Sequence, residues 1–148
     1  MERTEDLSRF VRAQQGEEFM VPYGTALAEI RQGRKRSHWI WYVFPQIRGL
    51  GYSANAHRYG IRDMAEARAY LADPVLGGRL REISAALLAL PGDDPTAVLG
   101  WPDDMKVCSC MTLFALAAEE NSVFHQVLEK YYNGERDGRT LEILGLQG

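Results

Sequence analysis

The spacing of its apolar residues restricts the fold of this chain more than any other feature, because the spacing is helical in one segment after another. Apolar side chains recur three and four residues apart from Leu7 to Val11, from Tyr23 to Ile30, from Leu80 to Leu90 and from Val123 to Tyr131. Each stripe is the apolar face of a helix and needs a neighbour to cover it. Six or more such segments predict an all-α fold, a compact single-domain orthogonal bundle of helices with at most one short pair of strands.

Capping residues, prolines and glycines predict where these helices begin and end. The predicted helix starts are Ser53, Asp63, Asp73–Pro74 and Pro102–Asp104, the last of these for a helix running to about Glu120. The predicted breaks are Gly16, Gly33, the loop 91–95 and Asn133–Gly134, and a last short helix should hold Leu141 and Leu144.

The run Trp39–Phe44, closed by Pro45, has no clear period. Its length and its aromatic and β-branched residues favour a buried strand. A buried helix is the competing interpretation, because an apolar run of this length fits either structure.

The composition is that of an ordinary globular protein. The chain has 148 residues, of which 46% are hydrophobic and 25% are charged. One domain over residues 1–148 can therefore bury a substantial core without disulfides or metals as staples. The formal net charge of -3 argues against general nucleic-acid binding, because proteins with that function are usually basic.

The cysteines and the N-terminal segment indicate the cellular compartment in which the protein is expected. Cys108 and Cys110 would point about 200° apart on a helix, so a disulfide between them is not expected, which suits a reducing compartment. Residues 1–6 are acidic and lack the apolar core of a signal peptide. No apolar run approaches the roughly 18 residues of a membrane span. We therefore expect a cytoplasmic protein without membrane contact.

Three cations, Arg34, Lys35 and Arg36, follow the predicted helix end at Gly33. Arginine and lysine give charge-assisted hydrogen bonds to phosphate or carboxylate groups, which makes these residues candidates for ligand binding. The alternative is a solvated basic face at the negative end of the preceding helix.

An imidazole and two indoles come directly after the cations. His38 has a side chain that can act as acid or base near neutral pH. Trp39 and Trp41 offer flat faces for a base or a cation. Further along, Gln46 precedes Gly49 and Gly51, two glycines that allow close approach of the backbone to a ligand. A tight turn explains the glycines as well, and no dinucleotide-binding or P-loop pattern occurs.

A second polar group begins the predicted helix at Pro102. Asp103, Asp104 and Lys106 could form a hydrogen-bonding or acid–base group that faces the aromatic run, and Ser109 and Thr112 are further candidates for ligand binding. The alternative is structural, because acidic residues in a first turn stabilise the helix dipole.

Metal binding and thiol chemistry are not expected. The histidines and cysteines of the chain lack the spacing of a zinc site. Cys110 is interpreted as a buried structural thiol and His57 as a surface residue of a helix. The residues predict neither a metal nor a cofactor.

The motifs resemble a known family. Residues 33–46 with 49–51, residues 103–106 with 109 and 111–114, and residues 131–134 with Asp137 and Thr140 are similar to the signature of a family of proteins of unknown function, DUF1810. The resemblance covers nearly the whole chain. It implies a small, mainly helical cytoplasmic protein, and it favours the buried helix for Trp39–Phe44. Cys108 and Cys110 depart from the family pattern, which has a polar or basic residue and a serine there.

Two further labels touch on function. Some relatives are called calpastatin, a label that does not suit this chain, since that inhibitor is largely disordered while this sequence has core stripes throughout. The order of the later helices also loosely resembles the NADAR superfamily, whose members process ADP-ribose-linked molecules. That likeness is one of fold alone and carries little about function.

Two hypotheses for the function follow. In the first, the domain binds a phosphorylated or nucleotide-like small molecule, with or without an enzymatic reaction in which His38, Asp103 and Lys106 take part. In the second, it is a non-catalytic protein-interaction module that uses the basic run. An enzyme requires the three named side chains to converge on one pocket. The oligomeric state is not defined by the residues, and a monomer is slightly favoured.

Overall fold

The computed structural model describes residues 5–146, and its described part is helical, as the apolar spacing predicts. The ten α-helices of these residues are α1 Glu5–Gln14, α2 Tyr23–Arg31, α3 Ile40–Val43, α4 Ala54–Arg58, α5 Met64–Ala72, α6 Leu76–Ala89, α7 Pro95–Leu99, α8 Asp103–Ala117, α9 Val123–Tyr132 and α10 Gly138–Ile143. A single turn of 3-10 helix, Glu17–Phe19, follows α1. Within the described range the only strand-like contact is an isolated parallel bridge between Ile47 and Ile61. The all-α prediction is confirmed.

Helix α8 lies at the centre of the fold. It packs against α3, α5, α7, α9 and α10. Its residues from Ser109 to Ala115 are all buried, and a helix covered on every side must be uncharged along its length. The sequence satisfies this condition, because α8 carries no charged residue after Lys106.

A chain of aromatic rings connects four of the helices through the core. Phe114 of α8 lies 5.3 Å from Tyr70 of α5 and 5.9 Å from Phe124 of α9, measured between ring centroids. Tyr70 in turn contacts Phe10 of α1 edge to face at 5.2 Å. Such ring pairs stabilise a core beyond the area that they bury.

The predicted N-caps are confirmed. The Ser53 hydroxyl accepts a hydrogen bond from the Ala56 amide at 3.0 Å, and the Asp63 carboxylate accepts one from the Glu66 amide at 2.9 Å. Asp73 and Pro74, predicted to open the next helix, lie just before it: α6 begins at Leu76, whose amide donates to the Asp73 carboxylate at 3.0 Å. These bonds satisfy amide donors that a first helical turn leaves unpaired.

The aromatic run is where the strand prediction is wrong. Residues 40–43 form the short helix α3, with backbone bonds from Val43 to Trp39 and from Phe44 to Ile40. A buried strand needs a neighbouring strand for its amides, and the described residues offer none. The helix implied by the family resemblance is therefore confirmed.

Two smaller differences concern helix bounds. Helix α7, Pro95–Leu99, begins at the last residue of the predicted loop 91–95 and was not predicted; the Asp94 side chain caps it. Helix α8 ends at Ala117, earlier than Glu120.

Candidate functional site

A cavity of about 320 Å³ lies between α3, the segment 46–60, α8 and the start of α10. Its volume is within the range of small-molecule sites. Five residues predicted as site residues line it, namely Trp41, Gln46, Gly51, Lys106 and Ser109. The tertiary structure thus brings together residues from the two polar groups of the sequence.

Lys106, together with Arg139, is one of the two cations among the residues that line this cavity. Its Nζ lies 4.9 Å from the ring centroid of Trp41, in the geometry of a cation–π contact. The same atom lies 3.6 Å from Oδ1 of Asp103, one turn back on α8. The other oxygen of Asp103 is 2.7 Å from Nζ of Lys35. One carboxylate is therefore shared by two ammonium groups, and Lys106 holds the longer of the two contacts.

The three cations of the basic run, residues 34–36, do not point the same way. Lys35 points inward, with a side chain only 6% exposed that contacts Asp103 and lies over the Trp39 ring at 4.9 Å. Arg34, Arg36 and His38 are exposed and do not line the cavity. Exposure alternates along this non-helical segment: residues 34, 36 and 38 are exposed, whereas Lys35, Ser37 and Trp39 are half-buried or buried.

The carboxylate of Glu29, in α2, holds the segment 36–39 in place through four hydrogen bonds. Its Oε1 accepts hydrogen bonds from the amides of Arg36 and Ser37 and from Nε1 of Trp39, at 2.8 to 2.9 Å. Its Oε2 accepts from the Ser37 hydroxyl at 2.5 Å. Burial by itself raises the pKa of the Glu29 carboxyl, but these donors outweigh it and hold the pKa at about 2. Glu29 was missed in the sequence because a single glutamate in a helix carries no signal of its partners.

The remaining predicted site residues lie outside the cavity lining. Trp39 is fully buried and bonded to Glu29. Thr112 is fully buried, and its hydroxyl accepts a hydrogen bond from the Asp137 amide at 2.9 Å, which holds the start of α10 against α8. Gly49 has a φ of 109°, a conformation that favours glycine in a turn.

Tyr52, Asn55 and Arg139 also line the cavity, although they were not predicted as site residues. Tyr52 and Asn55 flank the cap of the short helix α4, and Arg139 lies in α10, far along the chain. Their sequence neighbours give no periodic signal. The one available signal was the position of Tyr52, a large aromatic residue directly after the glycine-containing segment 49–51.

Between residues 5 and 146, no group of three or more histidine, cysteine, aspartate or glutamate side chains is arranged to hold a metal ion. In that range there is also no helix with the length and apolar character needed to cross a membrane.

The two thiols should be unreactive in the folded protein. Burial raises the pKa of Cys108 to about 11, with a further contribution from Asp137, and burial raises that of Cys110 well above its ordinary value. The thiolate is the reactive species, so we expect almost no alkylation by iodoacetamide at neutral pH until the chain is unfolded in urea. Mass spectrometry would count the modified thiols; rapid labelling of the native protein at Cys110 would contradict the expectation.

The comparisons with known proteins agree with the fold. The sequence profile of a family described as "Protein of unknown function (DUF1810)" matches residues 4–144. The fold is similar to the crystal structure of the conserved hypothetical protein Rv1873 from Mycobacterium tuberculosis, with a TM-score of 0.89. The two sequences are 46% identical over 96% of this chain and 98% of that chain. No curated protein matches the chain. Since the profile spans nearly all of the described residues, the chain belongs to the DUF1810 family of proteins of unknown function.

Proposed function

We propose that this protein binds a small phosphorylated molecule in the cavity beside Trp41 and Lys106. The observation that carries the proposal is the position of the Lys106 ammonium, which lies at the cavity against the Trp41 ring and is held by only part of one carboxylate. An ammonium with spare hydrogen-bonding capacity is a suitable partner for phosphate oxygens.

The local charge balance supports an anionic ligand. Lys35, Lys106 and Arg139 lie in or next to the cavity, against the two carboxylates of Asp103 and Asp137. Asp137 is already engaged, because its Oδ2 accepts bonds from the amide and hydroxyl of Thr140 at 3.0 and 2.6 Å. Three cations against two occupied carboxylates leave a site that favours one more negative charge.

The proposal is for binding and includes no reaction. Of the three side chains considered as acid–base groups, only Lys106 lines the cavity. Asp103 acts on Lys106 through its ion pair, and His38 is exposed outside the lining.

The test is a thermal-shift screen with inorganic phosphate, sugar phosphates and nucleotides, followed by calorimetric titration of each compound that binds. Lys106→Met should weaken binding by about ten-fold or more, since a hydrogen bond to a charged group contributes about 1.5–3 kcal/mol. Arg68→Met, which removes an exposed cation on α5, is the matched control and should leave the affinity unchanged. If no phosphorylated compound binds, or if Lys106→Met binds as well as the parent, the proposal is wrong.

The protein-interaction hypothesis has one observation in its favour. Arg34 and Arg36 are exposed, and their side chains form no ion pair within residues 5–146, so they present free positive charge to an acidic partner. A blank ligand screen would shift support to this second function.

A further inference from the structure

Tyr52 is an exposed aromatic ring at the mouth of the cavity. The residue as a whole is 95% exposed although it lines the cavity. Nearly the whole surface of this ring is therefore open to solvent. An exposed tyrosine beside a binding cavity offers a rigid flat surface on which a ligand ring can stack.

Two side-chain amides line the same cavity without partners. Neither the Gln46 nor the Asn55 side chain makes a hydrogen bond to any part of the described chain, and both residues line the cavity. Their backbones are held in place, because the Gln46 carbonyl accepts from the Ile61 amide at 2.8 Å and the Asn55 carbonyl from the Tyr59 amide at 3.0 Å. Each amide thus presents one acceptor and one donor group from a fixed backbone position.

The wall that carries these groups is closely packed. A Cβ atom at Gly60 would lie 2.8 Å from Cα of Arg48, and one at Gly51 would lie 3.1 Å from Cβ of Ala56. Both glycines line the cavity. No larger residue fits at Gly60 without a shift of the backbone, so the backbones of the two segments meet closely at this point of the wall.

Inorganic phosphate or a sugar phosphate needs only the cations of the cavity. The edge of a nitrogen heterocycle has donors and acceptors that pair with asparagine and glutamine amides, and its face stacks on aromatic rings. From the coincidence of Tyr52, Gln46 and Asn55 in one cavity with Lys106, we infer that the ligand is a nucleotide, with its base bound by Tyr52 and the two amides. This inference rests on the proposed function, because Lys106 must bind the phosphate.

The test is calorimetric titration of the full chain with the adenosine, guanosine, cytidine and uridine monophosphates and with ribose 5-phosphate. At least one nucleotide should bind about ten-fold or more tightly than ribose 5-phosphate, the gain expected from stacking of one base. Tyr52→Ala and Asn55→Ala should remove this difference while the affinity for ribose 5-phosphate stays the same. Phe19→Ala is the control, since Phe19 is also fully exposed but lies outside the cavity lining.

The outcomes separate the two proposals. If ribose 5-phosphate binds through Lys106 as tightly as every nucleotide, and Tyr52→Ala changes nothing, the nucleotide inference is overturned and the proposed function stands. If neither class of compound binds, both fail. Tyr52 is exposed, so its removal should not affect folding, and a circular dichroism spectrum would verify this.

Discussion

Glu29→Ala should lower the free energy of unfolding by about 4 kcal/mol, because it removes the acceptor of four buried or half-buried donors. Among them, Nε1 of Trp39 belongs to a ring with no exposed surface, so water cannot replace the lost carboxylate there. The amides of Arg36 and Ser37 would lose their partner as well, and the segment that places Lys35 against Asp103 would be released.

Urea denaturation followed by circular dichroism would measure this loss. Glu29→Gln keeps the shape and one acceptor oxygen, and we expect about half the effect of the alanine variant. Glu119→Ala removes an exposed carboxylate and should change the stability by no more than about 0.5 kcal/mol. A loss below about 1 kcal/mol for Glu29→Ala would mean that the four hydrogen bonds do not hold the segment.

The same carboxylate gives the protein a defined acid sensitivity. Its pKa is lowered from 4.5 to about 2 in the folded state. A lowered folded pKa means that the stabilisation is complete above pH 4.5 and is lost as the pH falls from 4.5 towards 2. In Glu29→Gln, which cannot titrate, the free energy of unfolding should fall less steeply across this interval than in the parent.

Gly77→Ala is expected to destabilise the protein by about 3 kcal/mol, because the new methyl group has no space. A Cβ atom at this position would lie 2.1 Å from the carbonyl oxygen of Leu71 and 2.8 Å from its carbonyl carbon. Both are backbone atoms at the end of α5, so the clash can be relieved only by moving α5 away from α6.

The adjacent Gly78 supplies a matched control for the same helix. A Cβ atom there has nothing within 4 Å. Gly78→Ala should therefore stabilise α6 by up to about 1 kcal/mol, since alanine has the higher helix propensity. Thermal and urea unfolding of the two variants should give opposite signs. Equal effects at the two positions would show that helix propensity, and not the contact between α5 and α6, decides the outcome.

The nucleotide inference and the Gly77 prediction depend on different parts of the fold. Residue 77 lies at the junction of α5 and α6, while the cavity is formed by α3, α4, α8 and α10. A Gly78→Ala variant with raised stability would therefore also serve as a parent for the binding variants, because its cavity is unchanged.

Most helices and their N-caps could be predicted from the sequence, because both depend on interactions between residues a few positions apart. The hydrogen bonds at Ser53, Asp63 and Asp73 join residues two or three positions apart, and the apolar stripes report the helical period directly. The sequence also indicated Trp41, Lys106 and Ser109, because polar and aromatic residues concentrate in two short segments. It could not show that these segments meet across a cavity.

Only the tertiary structure decided the roles of the charged side chains. Lys35 is buried against Asp103 while its neighbours Arg34 and Arg36 are exposed, a difference that no local pattern records. In the sequence Glu29 is an ordinary helical glutamate, and its hydrogen bonds to residues 36, 37 and 39 are visible only in the tertiary structure. Periodicity and capping act within a few residues, so the sequence by itself determined the all-α class and most helix starts. Ion pairs and buried hydrogen bonds depend on which helices meet, so packing decided the site. Packing also decided that the run Trp39–Phe44 forms a helix and not a strand.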